Sequence, residues 1–398
     1  MGRGLFGGKR LEAVWCPKNS CGCGVISMLA LVLLPWLTLL CPAENPELAK
    51  PLGNAGGNRP ELEKALREST TEERPGMEFL IANMPDADLK SIKSGYLLEN
   101  TRLAYKARRE TPWGKSIPEA IFLNDVLPYS HVDETRDPWR KEFFDMCMPM
   151  VNGCKTPEEA ARKLNAELFG RLKVKYSTKR RAPNQSAKET LETGLASCTG
   201  LSIVLADACR AVCVPARLVG TPLWSNKRGN HTWVEVWDKE WHFTGACEQD
   251  PQGLDRGWFV GDASQAKKDV FEHAIYAASF RRSKVWFPMV WAMRDHQVPG
   301  ENVTDRYAKK IAGPNPTVRL MVRVVDSDGK RVTHKTVVSG PEFKKEGASR
   351  GETNDTNDFL TFDLPRAVEI EIEVAGVKQK VRTSETDKEQ LVEIKLGK

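Results

Sequence analysis

Long blocks of one charge are missing from this sequence: its 59 Lys and Arg are interspersed with 53 Asp and Glu, for a formal charge of +6 over 398 residues. Nucleic acid is therefore not an expected partner, because that needs a concentrated basic face. No two cysteines stand in CxxC spacing, which argues against structural zinc. Loops of regularly spaced carboxylates are absent too, so calcium is not implied, and neither metal nor cofactor is expected. The apolar stretch Val25 to Leu40 falls just short of the ~20 residues that span a bilayer. It follows Arg3, Lys9, Arg10 and Lys18 and precedes Cys41-Pro-Ala43, the layout of a secretory signal cut after Ala43. Export is the expectation, to the periplasm, the cell envelope or the medium. An uncleaved N-terminal anchor, the one route to a membrane, is the alternative.

Cysteine is sparse beyond that segment: Cys147, Cys154, Cys198, Cys209, Cys213 and Cys247. An exported protein permits disulfides, and Cys147 with Cys154 is the first candidate pair. Cys209 and Cys213 lie four apart on one helical face and read as core.

The stretch from Leu191 to Asp250 carries the chemistry. Leu201, Val204, Leu205, Ala208 and Val212 recur at helical spacing, Pro215 stops the helix, and Cys198 stands at its start. There the unpaired amides and the helix dipole favour a thiolate. After a polar loop, Ser225 to Asn230, comes His231-Thr-Trp-Val-Glu-Val-Trp237, which alternates as a strand with His231 at its entrance. Trp241 to Thr244 reads as the returning strand. A two-residue turn at Lys239 and Glu240 sets Glu248 opposite His231 as an orienting carboxylate. A slip of one residue sets Cys247 there and turns Glu248 away.

These residues resemble the transglutaminase-like superfamily of cysteine acyltransferases and proteases. The likeness rests on Cys198, Pro215-Ala-Arg-Leu-Val219, His231-Thr-Trp233-Val-Glu235 and Trp241, and covers roughly Thr156 to Asp262. The sequence departs at the third member: where the family has an Asp, four residues after the Trp, stands Gly245, with Glu248 and Asp250 the nearest carboxylates. The resemblance implies an α+β fold, papain/transglutaminase-like, in which a Cys-bearing helix packs on an antiparallel sheet. It also implies acyl transfer or hydrolysis on peptide or protein amides through a thioester, with no cofactor. Substrates of the cell envelope fit the expected location. A catalytically inactive peptide-binding or scaffold protein on the same fold is the alternative.

Gln185, with Asn184 behind it, is the candidate side-chain amide for an oxyanion site shared with the Cys198 amide. Trp233 and Trp258 are candidate substrate-binding residues. His131, in a Tyr-Ser-His-Val-Asp-Glu stretch, reads as an exposed histidine without a role. The segments are then a signal or anchor over 1–43, a linker over 44–60, a mainly helical region over 61–155, the catalytic domain over 156–312 and an accessory β-sandwich over 313–398. Gln265 to Ala278 has a helical pattern, and Val285 to Met293 is read as completing the catalytic sheet. The short alternating runs after Gly313 suggest small antiparallel sheets, with Gly347 to Asn357 as a polar loop.

Overall fold

The Cys198 helix is apolar almost all round, and the fold is built to cover it. The computed structural model describes residues 45–308, 317–341 and 343–397. The signal or anchor expected over 1–43 lies outside them. No helix among the described residues is long and apolar enough to cross a membrane.

Helices come first. Asn45 caps Pro46–Asn54 through its side chain, and the next helix, Arg59–Glu68, follows almost directly. From Asn45 on, the stretch expected as a linker over 44–60 is helical instead: Leu48 and Ala55 are buried, and Pro at the first turn of each helix suits a start rather than a break. Helices Ser94–Glu110 and Trp139–Met150 then pack beside Cys198–Ala211, and Arg74–Asn83 packs against Ser94–Glu110. Polar groups fasten this packing. The Trp113 indole N–H donates to the carbonyl oxygens of Val212 and Cys213, at 3.2 and 3.0 Å. Buried Arg140 donates to the carbonyl oxygens of Arg210, Val126, Leu127 and Pro128, and buried Arg210 to those of Asp125, Ala216, Pro128 and Ser130. Each guanidinium thus satisfies carbonyls that the end of the catalytic helix and the adjoining turns leave open.

His131 belongs to the same fastening and is not exposed. Its side chain is fully buried, with Nε2 2.9 Å from Asp207 Oδ1 on the catalytic helix. Burial, and the charges of Arg210, Arg140 and Arg136, hold it neutral.

The sheet beside the Cys198 helix has the order β3-β2-β1-β4-β5, antiparallel throughout, from β1 (Ala216–Thr221), β2 (His231–Asp238), β3 (Glu240–Thr244), β4 (Tyr276–Ala278) and β5 (Gly300–Asn302). The helix expected over 265–278 is replaced by a 3-10 turn, Phe271–His273, and strand β4. The segment 285–293 joins the sheet edge only through a bridge from Trp286 to Pro299, so β4 and β5 complete the sheet instead. Short irregular segments flatten the periodicity that separates helix from strand.

The last region has strands β6 (Thr317–Val325), β7 (Lys335–Ser339), β8 (Lys344–Ala348), β9 (Leu360–Pro365), β10 (Glu369–Val374), β11 (Val377–Arg382) and β12 (Glu389–Lys395). They form sheets β8-β7-β10-β11 and β9-β6-β12, which share a core including Leu320, Val338, Phe362, Ile372 and Ile394. β12 runs parallel to β6, so this region is not wholly antiparallel. By its contacts Asn45–Lys398 is one body. Asp262 marks where the two regions meet: it takes a bond from Asn226 Nδ2 at 2.7 Å, pairs with Arg228 and lies against Glu389 at the start of β12.

All six described cysteines are free. Cys147 is turned into the core toward Cys209, whereas Cys154 sits past the helix end, so the Cys147–Cys154 disulfide is not formed.

Two predictions follow from buried polar contacts. His131→Ala leaves the Asp207 carboxyl unpartnered in the core and should lower unfolding stability by about 1–3 kcal/mol in urea titration. Lys141→Ala, which breaks the exposed pair with Asp145, should leave it nearly unchanged. Burial and the neighbouring Glu389 push the Asp262 carboxyl from 3.8 up to about 8. A raised carboxyl binds a proton in the folded state that the unfolded chain releases, so its stabilisation is complete below pH 3.8, declines above it and is lost through pH 8. Thermal unfolding midpoints should fall from pH 5 to pH 9, and Glu389→Gln should flatten that slope.

Candidate active site

Ser197 caps the catalytic helix by accepting the Gly200 amide at 3.0 Å, which makes Cys198 its first residue. The helix is pinned to β2 at two points: the Thr199 and Thr232 hydroxyl oxygens lie 3.0 Å apart, and Ser202 Oγ donates to the Thr232 carbonyl oxygen at 3.3 Å. The backbone amides of Thr232 and Thr199 act on the Cys198 thiol and favour its ionised form. Thr199 and Thr232 are the residues that follow Cys198 and His231, so the start of this helix and the start of β2 lie side by side.

Their resting charge differs from the sequence expectation. Burial pushes the Cys198 thiol up, the charges of Asp355 and Glu248 add to it, and the two backbone amides oppose them without prevailing. Burial lowers His231 to about 3, opposed by Asp355 and reinforced by Arg228. The site at rest holds a thiol and a neutral imidazole rather than a thiolate–imidazolium pair.

Aromatic rings enclose His231. Its ring centroid lies 4.7 Å from that of Trp258, 5.0 Å from Phe259 and 5.7 Å from Trp233. Its Nε2 is buried and has no hydrogen-bond partner among the described residues. Neither Glu248 nor Asp250 therefore holds the ring, and the register explains why. Asp238 pairs with Glu240 across Lys239 alone, whose φ of 66° closes the turn in one residue. The pairing is thus one residue off the register that sets Glu248 opposite His231, and β3 ends at Thr244. Glu248 instead folds back over Gly245, where a Cβ would stand 2.7 Å from its Oε2, and that oxygen accepts from Trp258 Nε1 at 2.8 Å. Its carboxylate fills the space that a side chain at 245 would take, and it positions Trp258 rather than His231. Asp250 is at the surface, paired with Arg256.

Two further candidates take structural roles. Gln185 is fully buried: its Nε2 lies 3.2 Å from each of the Glu189 carbonyl oxygen, Thr193 Oγ1 and the Leu195 carbonyl oxygen, and its Oε1 accepts from the Arg181 and Ala182 amides. That amide braces the loop before the catalytic helix and has no hydrogen to spare for an oxyanion. Asn184, behind it, donates to Asp133 at the surface. Trp233 is core, its indole N–H donating to Tyr307 Oη at 2.9 Å; Tyr307 in turn donates to Glu235 Oε1. Trp258 is 37% exposed and remains the ring beside His231 that a substrate can touch.

The sequence reading missed Asp355, Tyr176 and Asn357, which gather here from far apart in the chain. Tyr176 donates its hydroxyl hydrogen to Asp355, and Asn357 Oδ1 accepts from Trp224 Nε1 at 3.0 Å. Asp355 and Asn357 lie in and beside a stretch whose composition signals only a polar loop, so no local pattern marks them.

Residues 145–263 match the Transglutaminase-like superfamily. Among solved structures the chain is similar to a proposed cysteine protease from Cytophaga hutchinsonii, at 18% identity over 29% of this chain and 40% of that one, TM-score 0.23. It is also similar to red sea bream transglutaminase, at 10% identity over 69% of this chain and 65% of that one, TM-score 0.31. The chain thus spans less than two thirds of the length of either. No curated protein matches it. The segment that carries Cys198 and His231, from 145 to 263, is a transglutaminase-like domain.

Proposed function

We propose that the protein is a cysteine-dependent acyltransferase or hydrolase acting on peptide or protein amides. The observation that carries this reading is the 3.0 Å contact between the Thr199 and Thr232 hydroxyls, which sets the residues just before them, Cys198 and His231, on adjoining element starts. From a neutral resting pair, His231 takes the thiol proton as the sulfur bonds to the substrate carbonyl carbon. The backbone amides around Cys198 face the oxygen that gains charge. His231 then returns the proton to the departing amine as the C–N bond breaks, which leaves a thioester. Water resolves it in a hydrolase and a second amine in a transamidase. Trp258, held by Glu248, forms the wall along which the acyl chain lies. The apolar Val25–Leu40 stretch supports an exported enzyme with cell-envelope peptides as substrates.

A second reading is a peptide-binding protein that does not turn its ligand over. The unpartnered Nε2 of His231 favours it. The two separate on trapping. The intact protein is incubated with a cell-envelope peptide extract and quenched in acid, and the mass of the peptide bearing Cys198 is read. The enzyme reading expects an acyl adduct on Cys198, absent in Cys198→Ala and reduced at least about a thousandfold in rate in His231→Ala. Peptide retained without any adduct overturns catalysis in favour of binding.

A further inference from the structure

The loop between β8 and β9 is rooted in the C-terminal sheets but ends on the acyl-transfer site. At its root, Arg331 Nη2 donates to the Asn354 carbonyl oxygen at 2.8 Å, and the Arg331 amide to Glu352 Oε1 at 2.7 Å. At its tip three bonds cross to the transglutaminase-like domain. Thr178 Oγ1 donates to the Thr353 carbonyl oxygen at 3.1 Å, Trp224 donates to Asn357, and Asn357 Nδ2 donates to the carbonyl oxygen of Asn230, the residue before His231. Gly229 allows this approach: at its φ of 154°, a Cβ would stand 2.9 Å from Asn357 Oδ1. Asp355 is gripped at both oxygens, by the Asn357 amide at 2.8 Å and by the Tyr176 hydroxyl. A loop fixed at so many points presents its half-buried carboxylate in one place, where its charge acts on both Cys198 and His231.

We propose that Asp355 is a positioning residue of this site, supplied by the C-terminal sheets, which governs where the thiol proton resides: on Cys198 at rest and on His231 once the sulfur has bonded to substrate. This rests on the Cys198–His231 reading above. A negative charge opposes a second one on the sulfur and favours a positive one on the ring. Before substrate arrives it keeps the thiol protonated. After acylation the sulfur carries no charge, so only the ring feels Asp355, and the imidazolium that must protonate the leaving amine is stabilised. The other charges facing the pair are Glu248 toward Cys198 and Arg228 toward His231, with the Tyr176 phenol beside the sulfur. The remaining walls are aromatic.

The test is the pH dependence of Cys198 alkylation by iodoacetamide in the intact protein, resolved by peptide mass. Removing a negative charge lowers the pH at which a thiol ionises. Asp355→Asn should therefore move the midpoint down by about 1 unit, a roughly tenfold faster reaction below the midpoint. Asn357→Ala keeps the charge but releases the loop and should move the midpoint the same way. Wider access alone would raise the plateau rate and leave the midpoint in place. Asp358→Asn makes the same charge change in the same loop, where that residue pairs with Arg350, and should leave the midpoint unmoved. An unmoved midpoint in both Asp355→Asn and Asn357→Ala overturns the proposal, as does an equal shift in Asp358→Asn. Absence of an acyl adduct in the trapping experiment defeats the catalytic reading instead, and the midpoint shift does not depend on that result.

Discussion

A buried carboxylate needs partners, and Glu235 has three: Arg217 and Arg306, each 2.9 Å from Oε2, and the Tyr307 hydroxyl 2.9 Å from Oε1. Arg217 stands directly across from it on β1. Charge buried without such partners costs several kcal/mol, so the pair allows one alignment of β1 with β2. Side chains alternate along a strand, and a slip of one residue would turn Glu235 onto the apolar face of Val234 and Val236, away from its partners, and turn every neighbour over. His231 and Trp233 share its face, so the ion pair that secures the strand also directs His231 inward among the aromatic rings. The motif's Trp, Glu and Arg are in this sense the frame for its His.

The parts of the site that were legible in the sequence are those fixed by short-range rules. A helix that begins at Cys198 follows from apolar spacing and Pro215, and a strand that begins at His231 follows from alternation. The orienting carboxylate was not legible because its assignment depended on one turn. Lys239 adopts a left-handed conformation uncommon for a lysine, and this shortens the turn by a residue and carries Glu248 away. Gln185 illustrates a different limit: composition marks a side-chain amide near the nucleophile, but only the folded loop shows that its hydrogens are already committed. His131 erred in the same direction. Nothing in Tyr-Ser-His-Val-Asp-Glu indicates that Asp207, far along the chain, waits for it in the core.

The helical region and the C-terminal sheets act on the catalytic helix in different ways. Arg140, Arg210, Trp113 and His131 hold its far end through buried bonds to carbonyls and to Asp207, so the end opposite Cys198 is rigid. The C-terminal sheets reach the end that bears Cys198, through the Asp262–Arg228–Glu389 contact and the Asp355 loop. These contacts are half-exposed or titratable, and their strength varies with conditions.

A neutral resting pair is consistent with acyl transfer rather than an obstacle to it. A permanent thiolate–imidazolium pair must be paid for in a buried site by desolvating two charges, whereas a thiol and an imidazole impose no such cost until substrate is present. In the proposed reaction the charge develops while the carbonyl oxygen is also gaining charge, beside the backbone amides of Thr199 and Thr232. Such preoriented dipoles act most strongly on charge that forms within a site already shielded from water. The burial that raises the thiol and lowers the ring therefore also amplifies whatever stabilises the transition state. What the site still needs is a group that favours the proton on the ring at that moment, and around His231 the described charges leave that task to a carboxylate from outside the domain.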